Sequence, residues 1–116
     1  MPIIDHASVE DKEVFNGVFS RQVLNKKIGG SAAITVGELK LTPGAVLPLH
    51  IHHVEEALTV IEGEGRLSLD DEPLEIKANM TILAPTGKKH TITNTGKGLL
   101  RIIFCFPAVE VERVLL

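Results

Sequence analysis

The sequence predicts a single all-β domain built from antiparallel strands. Short runs rich in β-branched and aliphatic residues follow one another along the chain, turn residues punctuate them, and helical periodicity is scarce. At 116 residues the chain has the length of one domain and can bury a modest core of its own. Its 44% hydrophobic and 23% charged content lies in the globular range, well away from disorder.

The elements follow in order. Residues 1–15 are too polar to assign and are expected to form a loose N-terminal arm, with His6 in solvent. GVFSRQVLN (17–25) and SAAITVGELKL (31–41) read as strands separated by KKIGG, whose glycines permit a tight reversal. Pro43-Gly44 suits the central positions of a type II turn, proline fixing φ and glycine accepting a positive value. AVLPLHIHH (45–53) resumes an extended run and EALTVIE (56–62) forms the next strand. GEG (63–65) is expected to turn into RLSLD (66–70), and DEP (71–73) into LEIK (74–77). MTILAP (80–85), HTITN (90–94) and LLRIIFCF (99–106) complete the series, the last two separated by TGKG (95–98). Strands at this spacing make an antiparallel sandwich or barrel. No internal repeat, low-complexity tract or linker interrupts them, so residues 1–116 are read as one domain.

Several function classes fall away on composition. Net charge is −3, and Lys26-Lys27 and Lys88-Lys89 are the only adjacent basic pairs, so the clustered basic face that nucleic acid requires is missing. No apolar run approaches the ~20 residues of a membrane span. The N-terminal residues lack the basic start and apolar stretch of a secretion signal. Cys105 is the single cysteine and cannot form an intramolecular disulfide, which makes a reducing cytoplasm the default expectation.

The stretch HIHHVEE (50–56) concentrates three histidines and two glutamates in seven positions. His50 and His52 are two apart, so on a strand both side chains reach the same face. Glu56 lies four further on, past a short irregular step, and can converge on the same point. His53 and Glu55 have the opposite parity and are assigned to solvent or an outer layer. Imidazole and carboxylate suit divalent first-row metals when they converge. A further ligand must come from elsewhere, and APTGKKHTITN offers His90 just after a Pro-Thr-Gly turn. The plainer alternative is a set of ordinary histidines on a β-sandwich.

Two motifs separate these readings. G-x5-H-x-H-x3-E-x6-G, the first motif of the cupin superfamily, is matched by Gly44, His50, His52, Glu56 and Gly63 with every spacing kept. The second, G-x5-P-x-G-x2-H-x3-N, is matched by Pro85, Gly87, His90 and Asn94. Its opening glycine is replaced by Asn79, which tolerates positive φ, and the aspartate that commonly follows it by Met80. Over residues 44–94 (motif one 44–63, motif two 79–94) the chain therefore resembles a small single-domain cupin.

The resemblance implies an antiparallel double-stranded β-helix, the cupin jelly-roll barrel. It also implies a metal centre of His50, His52, Glu56 and His90 holding manganese, iron, nickel, cobalt or zinc. The function to expect is an enzyme of the dioxygenase or isomerase type acting on a small oxygenated metabolite, with a non-catalytic metal- or metabolite-binding module as the alternative. The chain has no tyrosine, so the tyrosine-dependent steps of some cupin lyases and thiol dioxygenases are not open to it. It is too short for a two-barrel oxalate decarboxylase.

Other candidates are few. Leu58, Val60, Leu83 and Ile92 are expected to wall a dry pocket around the site, or simply to fill the core. Arg101, amid apolar neighbours, is a candidate anchor for a substrate carboxylate, against the plainer reading of an arginine facing outward. Cys105 reads as a small core residue, and Phe104 and Phe106 as core or interface packing. FPAVEVERVLL ends on Val114, Leu115 and Leu116, which predicts a homodimer in which a terminal segment covers an exposed strand edge.

Overall fold

The computed structural model describes residues 2–116. A 3-10 turn (His6–Ser8) precedes β1 (Lys12–Phe15), β2 (Val18–Leu24), β3 (Thr35–Leu41), β4 (Val46–Ile51), β5 (Glu56–Glu62) and β6 (Glu64–Leu69). Then come β7 (Glu72–Lys77), β8 (Thr81–Ala84), β9 (His90–Thr93), β10 (Leu100–Phe106) and β11 (Val114–Leu115). They form a six-stranded sheet in the order β1-β2-β3-β10-β5-β8 and a five-stranded sheet in the order β11-β4-β9-β6-β7. Every pairing is antiparallel. The two sheets close on each other as a jelly-roll barrel, the antiparallel double-stranded β-helix.

The core sits between the sheets and follows from alternation along the strands. In β10, Leu100, Ile102, Phe104 and Phe106 are buried, whereas Arg101, Ile103 and Cys105 are only partly covered on the other face. They meet Leu39 and Leu41 of β3, Leu58 and Val60 of β5, and Leu67 and Ile92 from the opposite sheet. Gly37 of β3 is paired with Phe104, and a Cβ there would collide with the phenyl ring.

Local chemistry fixes the turns, in places differently from the sequence reading. Thr42 accepts a hydrogen bond from the Ala45 N–H at 2.9 Å, and Gly44 has φ of 81°, closing the expected reversal at Pro43-Gly44. The turn after β5 needs only Gly63, with φ of 86°, so Glu64 already belongs to β6 and the expected GEG turn is shorter. The next hairpin turns on Asp70-Asp71, both with positive φ, between the paired residues Leu69 and Glu72. A two-residue loop of this conformation matches the twist of the flanking strands. Pro73 therefore lies inside β7 rather than in the turn, which an edge strand tolerates.

The chain ends are also more ordered than expected. The arm is not loose: Asp5 accepts the Ala7 N–H at 3.0 Å to cap the 3-10 turn, and β1 pairs with β2. His6 is not simply solvated, because its Nδ1 lies 3.2 Å from Glu38 Oε2. The apolar C-terminal segment pairs with β4 of its own chain, Val114 opposite Ile51 and Leu115 opposite His50. Among the described residues no helix is long and apolar enough to cross a membrane.

Candidate metal centre

Four buried polar side chains gather between the two sheets: His50, His52, Glu56 and His90. Strand register does most of the gathering. His50, near the end of β4, is paired with His90, which opens β9. The β4 ladder shifts register between Leu47 and His50, around Pro48, which has no N–H to donate. His52 sits just beyond β4, where its carbonyl accepts the Gly87 N–H at 3.0 Å and so ties it to the turn that delivers His90. Glu56 opens β5 in the other sheet, opposite Ala84. Asn94, the last residue of the second motif, is structural: its amide donates to the Leu41 and Gly98 carbonyls at 2.8 Å each.

The three imidazoles offer ligand atoms that all lie within 4.8 Å of one another. Glu56 Oε1 stands 3.2 Å from His90 Nε2 and 3.8 Å from His52 Nε2. Each Nδ1 faces a backbone carbonyl: Pro48 for His50 at 2.7 Å, Glu112 for His52 at 2.7 Å, and Lys88 for His90 at 3.1 Å. A carbonyl only accepts, so each Nδ1 carries the proton and donates it. A ring without a second proton then turns an Nε2 lone pair toward the carboxylate oxygen, and bare acceptors at such separations repel unless a positive charge lies among them.

At two of the three rings burial disfavours protons in that role. Burial pushes His50 down to about 3, reinforced by the neighbouring imidazoles and Arg113 and opposed by the Pro48 carbonyl. Burial likewise lowers His52, against the Glu112 carbonyl and the Glu56 charge. Both rings are neutral near neutral pH, which is the ligating form. Carbonyl bonds to the far nitrogen are also how metal-binding histidines are oriented. The donor set fits a divalent cation.

A cavity of about 270 Å³ opens beside the cluster. His50, His52 and Glu56 line it together with Leu39, Leu58, Phe104 and Phe106, and with the polar side chains of Ser20, Gln22 and Arg113. Of the expected wall residues only Leu58 reaches it, for Val60 and Ile92 fill the core. Leu83 is 55% exposed: β8 alternates so that Ala84 points inward opposite Glu56 and Leu83 outward. His53 and Glu55 are exposed, as their parity requires.

Arg101 does not enter the cavity. It lies on the outer face of β10, with Nη2 3.4 Å from Glu38 Oε1. Cys105 shares that outer face, half-buried, and is not a core residue. The sequence reading also passes over Arg113. Its signal is the alternation in Glu110-Val111-Glu112-Arg113, where the two glutamates are exposed while Val111 and Arg113 line the cavity.

Fold and site together define a class, the small jelly-roll barrels with histidines gathered between their sheets. The chain belongs to the cupin family, whose sequence model, described as Cupin domain, matches residues 37–106. An uncharacterised protein of Methanocaldococcus jannaschii, MJ1618, is 32% identical over 91 residues, covering 78% of this chain and 73% of that one. An oxalate-binding protein of Thermotoga maritima is 32% identical over 75 residues, covering 64% of this chain and 62% of its own length, so this chain spans less than two thirds of it. The polyketide cyclase RemF of Streptomyces resistomycificus shares the fold, with a TM-score of 0.83 over 100% of this chain and 87% of that one at 22% identity.

Proposed function

We propose that the protein is a metal-dependent enzyme of the dioxygenase or isomerase type, acting on a small oxygenated metabolite. The observation that carries this is the gathering of three imidazoles and the Glu56 carboxylate beside a cavity that admits a small molecule, with His50, His52 and Glu56 on its wall. His50, His52, His90 and Glu56 would hold the ion, and manganese, iron, nickel, cobalt and zinc all suit that donor set. When bound, such an ion supplies Lewis acidity toward an oxygen pair of the substrate or a template for dioxygen.

The chain's own residues supply the rest. Carbonyl bonds from Pro48, Glu112 and Lys88 hold the three rings in one tautomer and orientation. Leu39, Leu58, Phe104 and Phe106 give part of the cavity an apolar wall, which lowers the dielectric around the charges beside it. A relative described as oxalate-binding is consistent with a small oxygen-rich ligand. One observation favours a second reading, a barrel that binds a metabolite without converting it. Apart from His50, His52 and Glu56, the side chains lining the cavity include no carboxylate, imidazole or thiol to move a proton.

Elemental analysis of protein purified without added metal, followed by turnover assays on diols, hydroxy acids and keto acids, separates these readings. About one divalent ion per chain with turnover supports the enzyme, and retention of a ligand without turnover supports the binding module. Absence of metal, with no affinity for any of the five ions, would sink both.

A further inference from the structure

We infer that the cavity takes a ligand bearing a carboxylate, and that Arg113 is the residue that receives it. The inference rests on the metal-centre reading for the ligand's other end, but the Arg113 half stands on separate observations. Arg113 lines the cavity alongside His50, His52 and Glu56. Its buried Nε has no hydrogen-bond partner. Arg21 also leaves its Nε unpaired, yet its other nitrogens reach the Val9 carbonyl and Glu38 at 3.3 Å each. Among the described residues no such bond ties Arg113. A guanidinium is a planar fork matched to a carboxylate, and one held against a cavity with no carboxylate hydrogen-bonded to it is prepared for one that arrives.

The position is built rather than accidental. The carbonyl of Glu112 holds His52 at 2.7 Å, and Val114, the next residue after Arg113, pairs with Ile51. The segment that orients a histidine of the cluster therefore delivers the guanidinium to the same cavity. The Phe15 ring, 5.6 Å from Arg113 Cζ, supports the group from β1. Glu56 is the carboxylate whose charge acts on Arg113, and a cation held at the cluster would draw on that same charge. Gln22 and Ser20 of β2 add neutral hydrogen-bonding groups to the cavity. With apolar walls elsewhere, the ligand that fits is a compact acid with an oxygen group at one end for the cluster and a carboxylate for Arg113.

Succinate and its neutral isostere succinamide, titrated calorimetrically into manganese-loaded and metal-free protein, test this assignment. Wild type should bind succinate at least tenfold more tightly than succinamide. Arg113→Gln should remove that preference while metal content by elemental analysis stays unchanged, and Arg113→Lys should keep part of it. Survival of the preference in Arg113→Gln would overturn the proposal. So would a fall in melting temperature or metal affinity with the preference intact, because Arg113 would then be only a counter-charge for Glu56. If Arg113→Gln does not fold, Arg113→Lys decides: charge retained with the fork lost must weaken succinate and leave succinamide alone. A preference seen in metal-free protein that manganese does not strengthen would sink the metal-centre reading while sparing Arg113.

Discussion

Two carboxylates are buried in this small barrel, and they are treated in opposite ways. Glu38, on the outer face of the six-stranded sheet, is 1% exposed and ringed by cations from its own chain. Arg21 Nη2 is 3.3 Å away, Arg101 Nη2 3.4 Å and Lys40 Nζ 3.7 Å, and the His6 imidazole adds a hydrogen bond through Nδ1 at 3.2 Å. Burial alone would raise its carboxyl, but hydrogen bonds from His6 and Arg21 and the charges of Arg21 and Lys40 hold it below its usual range. Glu56, 5% exposed, instead faces the Nε2 atoms of His90 and His52. A buried carboxylate that the chain compensates is a structural clamp, here fixing the N-terminal segment. One whose neighbours are imidazoles instead of fixed cations is suited to a cation from outside.

The sharpest way to break this comparison is to remove each carboxylate from metal-free protein. Glu38→Ala should cost on the order of 3 kcal/mol, since it strands several positive groups on one face. In a domain of this size that is a fall of roughly 10 °C in melting temperature. Glu56→Gln should move the metal-free melting temperature by no more than a few degrees, since among the described residues no lysine or arginine lies within ion-pair distance of it and only the more distant charge of Arg113 acts on it. Equal losses in thermal denaturation would erase the distinction.

Metal removal probes the other side. A ligand specific to the folded chain adds about 2.7 kcal/mol at one hundred times its dissociation constant, so chelation should lower the melting temperature by on the order of 10 °C. The β-type circular dichroism should persist at room temperature, because the apolar core does not depend on the ion. His52→Ala and His90→Ala should abolish most of the increment, whereas His53→Ala should retain it. The reverse result for His52 and His53 would overturn the strand register.

Acid separates the two regions by degrees. In metal-free protein, folded His50 titrates at about 3 against 6.5 in the unfolded chain. A depressed folded value gives stability that is present above the unfolded value and lost as pH falls. Stability should therefore decline from about pH 6.5 downward as the unfolded chain takes up the protons that folded His50 and His52 refuse. Glu38, held below 4.5, should add its own loss only beneath that value. Melting curves across pH should show His50→Ala flattening the upper part of this decline, and an unchanged slope there would exclude His50 as its source. The smallest expected effect is that of Arg101→Gln. Its partly exposed contact with Glu38 should be worth no more than about 1 kcal/mol, with succinate binding unaltered; weakened binding would return Arg101 to the cavity.

What the sequence reveals here is local. The spacing of His50, His52 and Glu56 encodes parity along two strands, so their shared side is legible before any partner strand is known. Turn residues such as Pro43-Gly44 likewise carry their own instruction. Relations that depend on register are not legible. Leu83 turns outward only because Ala84 is paired with Glu56, and Arg101 points away from the cavity because Leu100 and Ile102 occupy the core. His6 and Glu38 lie 32 residues apart, and Glu112 and His52 lie 60 apart, so no motif announces either contact. Arg113 is hidden for the same reason, its role depending on a two-residue strand that closes the edge of β4.

Gly37 carries a consequence for how such a barrel can diversify. Phe104 packs over its bare Cα, and that ring is also part of the cavity wall. Any side chain at position 37 must displace the ring, so a residue outside the cavity lining can set the shape of that cavity. The size of the cavity can thus be altered from the scaffold with every polar group that lines it left in place.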